Sequence, residues 1–131
     1  MAEFQQVELF TDSDGVARFR EHTIALSEGN EAARLSPVVA ASGLQLRRSP
    51  VGFRSAFHCT TTPQWLFVLQ GCMEIGLQDG SVRQFRPGEH FYSNDTLPEG
   101  AVFDADKHGH CSRQVGDEPL VTAFVRGGRD A

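Results

Sequence analysis

The 131-residue sequence lacks most of the features that would assign a function directly. No apolar run is long enough to span a bilayer, and the first residues lack the basic and then apolar regions of a signal peptide. Lys and Arg do not cluster beyond Arg47 and Arg48, and the formal net charge is −5. We therefore expect a soluble cytoplasmic protein that binds neither membrane nor nucleic acid.

Cysteine is scarce, and the familiar catalytic motifs are absent. Cys59, Cys72 and Cys111 are odd in number and form no C-x-x-C pair, which predicts free thiols. The sequence contains no G-x-S-x-G, no P-loop, no H-E-x-x-H and no G-x-G-x-x-G. Serine hydrolase, nucleotide-binding and zinc-protease functions are therefore not expected.

What the sequence does contain is a series of short strands separated by Gly, Pro and Asp turns. Hydrophobic residues make up 40% and charged residues 22%, which is typical of one globular domain over residues 1–131. The pattern predicts an all-β barrel or sandwich. Strands are predicted at residues 7–10, 16–26, 44–47, 53–60, 65–69, 72–77, 82–85, 90–93, 110–115 and 120–125. A helical turn is predicted at 31–35, a long loop at 94–109 and a frayed tail at 127–131.

Two groups of polar side chains are candidates for a site. Alternation along the strand at 53–60 places His58 and Thr60 on one face, and Gln64 begins the next strand, where it could face them. His108 and His110 share a face at a later strand. Two imidazoles and an amide oxygen could hold a divalent ion weakly. A single strand His is more often an ordinary hydrogen-bonded or exposed side chain.

Other residues carry weaker expectations. Tyr92 could act as an acid, although packing is its simpler role. Asp95 could pair with a cavity His, although capping of the loop is the simpler role. His90 and Arg113 are predicted to be structural or exposed. Four large aromatic side chains are most simply assigned to the core: Trp65, Phe67, Phe91 and Phe124.

The spacing of Gly52, His58, Gln64 and Gly71 resembles the first motif of the cupins. That motif reads Gly, five residues, His-x-His, three or four residues, Glu, six residues, Gly. In this chain Thr60 stands at the second His and Gln64 at the Glu. The similarity covers residues 38–125.

A second cupin motif is matched less closely. Pro87 and Gly88 resemble its turn, and an insertion follows Thr96. After the insertion His110 matches the motif His, and Gln114 stands in the place of its final Asn. The segments around Gln64, Thr96 and His110 also resemble a subgroup of uncharacterised bacterial cupins in which Gln replaces the usual Glu.

The resemblance implies an antiparallel jelly-roll barrel, also called a double-stranded β-helix, and a homodimer built by strand exchange. The strand at 7–10 could pair with a partner's sheet edge. The implied cavity lies between His58, Gln64 and His110, which are the candidate metal ligands. Fe, Mn, Ni or Zn is the implied ion, although only two of the three usual His residues are present.

Three functions remain open at this stage. One is a metal-assisted oxidoreductase or isomerase that acts on a small polar or aromatic metabolite, with His58, Gln64 and His110 holding the ion. Another is a metal-free acid/base enzyme that uses one His as base and Tyr92 or His108 as acid. The third is a non-catalytic ligand-binding or sensor module, with Thr60, Gln64, Asp95 and His108 as ligand-binding candidates.

Overall fold

Eleven strands account for the regular structure of residues 2–128, the part of the chain that the computed structural model describes. In chain order they are β1 (Glu3–Thr11), β2 (Ala17–Ala25), β3 (Glu28–Asn30), β4 (Ala33–Leu35), β5 (Gly43–Ser49), β6 (Gln64–Gln70), β7 (Cys72–Gly76), β8 (Val82–Phe85), β9 (His90–Asn94), β10 (Cys111–Val115) and β11 (Leu120–Arg126). Within residues 2–128 there is no helix, and so none that could cross a membrane. Residues 129–131 of the predicted tail lie outside the described part.

The strands form two main sheets, and their arrangement confirms an all-β fold consistent with a jelly-roll barrel. The larger sheet has the order β2-β1-β9-β6-β11-β5, and the smaller sheet has the order β10-β7-β8. Strands β3 and β4 form a separate hairpin. The pairing is antiparallel except between β1 and β9, which run parallel. The fully antiparallel sheet that the resemblance implies is therefore corrected at this pair.

The core lies between the two main sheets. Leu66 and Phe91 of the larger sheet pack in one cluster with Ile75 and Phe85 of the smaller sheet, and all four are almost fully buried. These side chains alternate along their strands with side chains on the outer faces, as a half-buried strand requires. Burial of this apolar surface is the main favourable contribution to folding.

Most of the predicted strands are confirmed to within a few residues, but the helical turn predicted at residues 31–35 is wrong. That segment belongs to the β3–β4 hairpin. The Asn30 side chain accepts hydrogen bonds from the backbone N–H groups of Ala32 (2.9 Å) and Ala33 (3.3 Å), and Gly29 has a φ of +81°. This turn chemistry competes successfully with the helix propensity of the alanines.

The strand predicted at residues 53–60 is also wrong. The segment makes only two isolated bridges, Arg54 with Arg113 and His58 with His110. Four of its backbone N–H groups donate to four separate carbonyl oxygens. Phe53 donates to Pro50, Ser55 to Ser112, His58 to His110 and Thr60 to Asp95. The chain is therefore not pleated here, and strict alternation does not apply.

Two predicted placements need correction on the outer side of the larger sheet. Trp65 and Phe67 are not core residues, because they are half-buried on the outer face, where both rings stack on His90 with centroids 5.6 and 5.5 Å away. Strand β1 is not an edge strand either, because it lies between β2 and β9. It therefore cannot offer a free edge to a partner, and the homodimer stays a prediction.

Two backbone hydrogen bonds fix His58 opposite His110. The N–H of His58 donates to the carbonyl of His110 (2.9 Å), and the N–H of His110 donates to that of His58 (3.0 Å). Gly109 makes this approach possible: its φ is +83°, and a Cβ there would lie 2.5 Å from the His58 carbonyl oxygen. A side chain at residue 109 would push the two histidines apart.

The first prediction is that Gly109→Ala destabilises the protein by about 2–4 kcal/mol, since it combines left-handed strain with a backbone clash. The control is Gly88→Ala, because Gly88 has a φ of +89° but open space around it. It should cost only the strain, about 1–2 kcal/mol. Urea unfolding measures both, and an equal loss in the two variants would contradict the close approach at Gly109.

Candidate functional site

A pocket of about 170 Å³ opens at one end of the barrel, and we call it the barrel pocket. Its walls are apolar side chains of the core, including Leu66, Ile75 and Phe91. Its polar lining consists of Arg47, His58, Thr60, Thr61, Gln64, Ser93, His110 and Ser112. The structure thus brings together the four candidate residues that sequence spacing placed at the motif, which are His58, Thr60, Gln64 and His110.

Asp95 holds His110 in one orientation. Its Oδ2 lies 2.8 Å from His110 Nδ1, and its Oδ1 accepts a hydrogen bond from the Thr11 hydroxyl at 2.7 Å. Both Asp95 and His110 are buried. Because a carboxylate is only an acceptor, Nδ1 of His110 carries a proton, and in the neutral ring Nε2 is then an acceptor. Of the two roles expected for Asp95, pairing with a cavity His and capping of the loop, the structure shows the pairing.

His58 lies beside His110 at the exposed rim of the pocket. The two ring centroids are 4.7 Å apart. His58 Nδ1 lies 2.9 Å from the Ala56 carbonyl oxygen, which accepts its proton. Within residues 2–128 no hydrogen-bond partner engages Nε2 of either histidine. Two imidazole nitrogens are thus available to a bound molecule.

The electrostatic surroundings keep His58 neutral. Its pKa is lowered from the ordinary 6.5, chiefly by loss of hydration, and the charges of His110 and Arg47 lower it further. The hydrogen bond to Ala56 and the charge of Asp95 oppose this shift. The neighbouring Cys59 has a raised pKa, again mainly through loss of hydration. Its thiol stays protonated, and a thiolate nucleophile is not favoured here.

Gln64 and Thr60 complete the wall opposite the histidines. Gln64 is the first residue of β6 and pairs in register with Ser93 of β9. The hydroxyl oxygens of Thr60 and Ser93 lie 2.8 Å apart. The backbone N–H of Thr60 donates to the backbone carbonyl oxygen of Asp95. Thr60 is therefore engaged by the protein, whereas the Gln64 side chain lines the pocket and makes no side-chain hydrogen bond within residues 2–128.

The residues of this pocket do not fit the metal centre that the resemblance implies. No carboxylate is among the described residues that line it, and Asp95 already has a partner on each oxygen. Within residues 2–128 no three or more His, Cys, Asp or Glu side chains form a group able to hold a metal ion. Two neutral imidazoles and one neutral amide make a weak donor set for a divalent ion.

Two candidate residues lie away from the barrel pocket. The Tyr92 hydroxyl donates to the Gly127 carbonyl at 2.8 Å, and its ring packs edge-on against Trp65 on the outer face. His108 is buried in the long loop, where its Nδ1 accepts a hydrogen bond from the backbone N–H of Asp104. Neither residue is brought to the two histidines as an acid partner.

Four polar pocket residues were missed by sequence reasoning, and they are Arg47, Thr61, Ser93 and Ser112. Arg47 lies on β5, which is distant in sequence from both motifs, and no local pattern marks it as a pocket residue. Alternation with the apolar Leu44 and Leu46 predicts an outward-facing Arg47, but both leucines are exposed and Arg47 lines the pocket. Ser93 is missed because it lies inside an aromatic strand.

Comparisons with known proteins add little to this picture. No protein-family model and no curated protein sequence matches the chain. A solved structure that is similar comes from Ralstonia eutropha JMP134 and is named "putative mannose-6-phosphate isomerase". The identity is 16%, the match covers 97% of this chain and 88% of that chain, and the TM-score is 0.36. A likeness this low gives no information about the activity of this chain.

The second prediction concerns stability between pH 7.5 and 5.5. Loss of hydration lowers the pKa of His58 and also that of His90. The unfolded chain, with ordinary values near 6.5, therefore binds these protons first, and stability falls as the pH drops below about 6.5.

His58→Gln and His90→Phe should each reduce this loss, and the double variant should reduce it most. Urea midpoints at the two pH values measure the effect. If both single variants lose as much stability as the wild type over this range, the assignment of the pH dependence to these histidines is wrong.

Proposed function

We propose that this chain binds a small polar molecule in the barrel pocket and moves a proton to or from it, as isomerases and epimerases do, without using a metal ion. The observation that carries the proposal is the His110 imidazole, held through Nδ1 by Asp95 with Nε2 available, beside a second imidazole in one pocket. Pairing a buried carboxylate with a histidine fixes the tautomer and stabilises the cation that forms when Nε2 takes up a proton.

The two histidines suit different parts of a proton transfer. His110 is buried and backed by a carboxylate, so it is the better acceptor of a proton from the bound molecule. His58 is exposed and its cation is disfavoured, so it readily passes a proton to water. The two rings lie side by side, with centroids 4.7 Å apart, so one bound molecule could contact both.

The reaction class follows from what the pocket offers. In an epimerase a proton leaves a carbon next to a carbonyl group, its bonding electrons move to the carbonyl oxygen, and a proton returns to the other face of that carbon as the carbonyl re-forms. In an isomerase the first carbon also carries a hydroxyl group, whose proton moves to the former carbonyl oxygen while a proton is added to the neighbouring carbon, so that the carbonyl group changes place. Gln64 can donate a hydrogen bond to an oxygen that gains charge in this step. The alternative is a non-catalytic binding module, which would bind the molecule but would not exchange its carbon-bound proton with solvent.

The third prediction is that the protein, stripped of metal with a chelator, exchanges a carbon-bound proton of a small hydroxy- or oxo-compound for deuterium in D₂O. Proton NMR of a compound panel detects the loss of the C–H signal. His110→Asn should slow the exchange by about 10²–10⁴-fold, because general base catalysis contributes that much. His22→Asn, on the distant β2, is the matched control and should leave the rate unchanged.

Binding without exchange would favour the non-catalytic alternative. Exchange that appears only after a divalent ion is added would contradict the metal-free proposal and favour the metal-assisted function.

A further inference from the structure

A second cavity continues outward from the barrel pocket. It has a volume of about 300 Å³ and shares Arg47, Gln64 and Phe124 with the barrel pocket. Its remaining lining is Gln45, Leu46 and Arg126. We call the two cavities together the extended pocket. A molecule with one end beside the histidines would therefore reach the side chain of Arg47 with its other end.

Arg47 is placed at this junction by the register of the larger sheet. It lies opposite Thr122 of β11, a buried residue, so its stem starts on the inner side of the sheet. Its guanidinium carbon lies 4.8 Å from the centroid of the Phe53 ring, which orients the group by a cation–π contact. The charge of Arg47 also acts on His58, in agreement with their closeness.

The extended pocket carries positive charge that the protein itself does not neutralise. Within residues 2–128 neither Arg47 nor Arg126 forms an ion pair. Arg126 donates to the neutral amide oxygen of Gln45 at 3.0 Å. Arg18, Arg20, Arg83 and Arg113 each have a carboxylate partner, and the other arginines of residues 2–128 have none. Arg47 and Arg126 differ from those others in lining the second cavity. No carboxylate lines either cavity in the described part of the chain.

We propose that the extended pocket takes a small organic anion, whose carboxylate or phosphate group pairs with Arg47 while the remainder of the molecule enters the barrel pocket beside His58 and His110. A guanidinium group matches both anions because it donates two parallel hydrogen bonds. The barrel pocket, at about 170 Å³, is smaller than a typical ligand site, so the part that enters it is short.

This inference rests on the proposed function for the reacting end of the molecule only. The anion site itself depends on Arg47 and not on proton transfer. Binding and exchange can therefore fail separately: His110→Asn should slow the exchange far more than it weakens anion binding, whereas a change at Arg47 should weaken binding first.

The fourth prediction is tested by calorimetric titration of the full chain with lactate and pyruvate, with lactamide as a neutral analogue and inorganic phosphate as the alternative anion. Arg47→Met should weaken binding of the acids by at least about tenfold, which is the typical contribution of a hydrogen bond to a charged group. Arg48→Met is the matched control. It removes the same charge from the next residue, which pairs with Val121 on the opposite face, and should leave affinity nearly unchanged.

Each outcome decides for or against the anion site. The anion site is supported if lactate and pyruvate bind and if Arg47→Met, but not Arg48→Met, weakens their binding. Phosphate that displaces lactate and also requires Arg47 supports it and identifies a phosphate ester as the better ligand. Lactamide binding as tightly as lactate, an equal loss in both arginine variants, or no binding of either acid or phosphate at millimolar concentration would overturn it.

A readout without ligand checks that Arg47 acts where the structure places it. NMR titration of His58 should show a higher pKa in Arg47→Met, because the positive charge that disfavours the imidazolium has been removed. Arg48→Met should leave that pKa unchanged. An unchanged His58 in folded Arg47→Met would place the guanidinium away from the pocket and overturn the proposal.

Discussion

The paired backbone hydrogen bonds between His58 and His110 are the constraint on which the candidate site depends. They join an irregular segment to the start of β10 and bring two imidazoles together from positions far apart in sequence. Gly109 permits the approach, and Asp95 then fixes the ring of His110. Because Asp95 also bonds to Thr11 at the end of β1, the site is held by several remote parts of the chain at once.

The sequence indicates much of the fold because turn residues and alternating strands are local signals. It fails where tertiary contacts decide the conformation. The segment at 53–60 has strand-like composition, yet its hydrogen bonds go to separate partners. Motif spacing correctly places His58, Gln64 and His110 in one pocket. It cannot find Arg47, which reaches the pocket only because β5 pairs with β11.

The chemistry of the site follows from which charges are absent as much as from those present. A motif Glu would place a carboxylate in the pocket and offer a metal ion an anionic ligand, whereas Gln64 offers a neutral amide. Within residues 2–128, the carboxylate that reaches the site is that of Asp95, and it is used to orient His110. Without a carboxylate in its lining, the pocket retains the positive charge of Arg47 and suits an anion better than a cation.

The most direct test of this account is to find which ring nitrogen of His110 carries the proton. Long-range ¹H–¹⁵N NMR of the chelator-treated protein, compared with Asp95→Asn, distinguishes the two ring nitrogens. The account predicts that Nδ1 of His110 carries the proton in the wild type, because it donates to Asp95, and that Nε2 is the unprotonated nitrogen. A proton on Nε2 instead, with the same result in Asp95→Asn, would contradict the pairing with Asp95 and the proton transfer that depends on it.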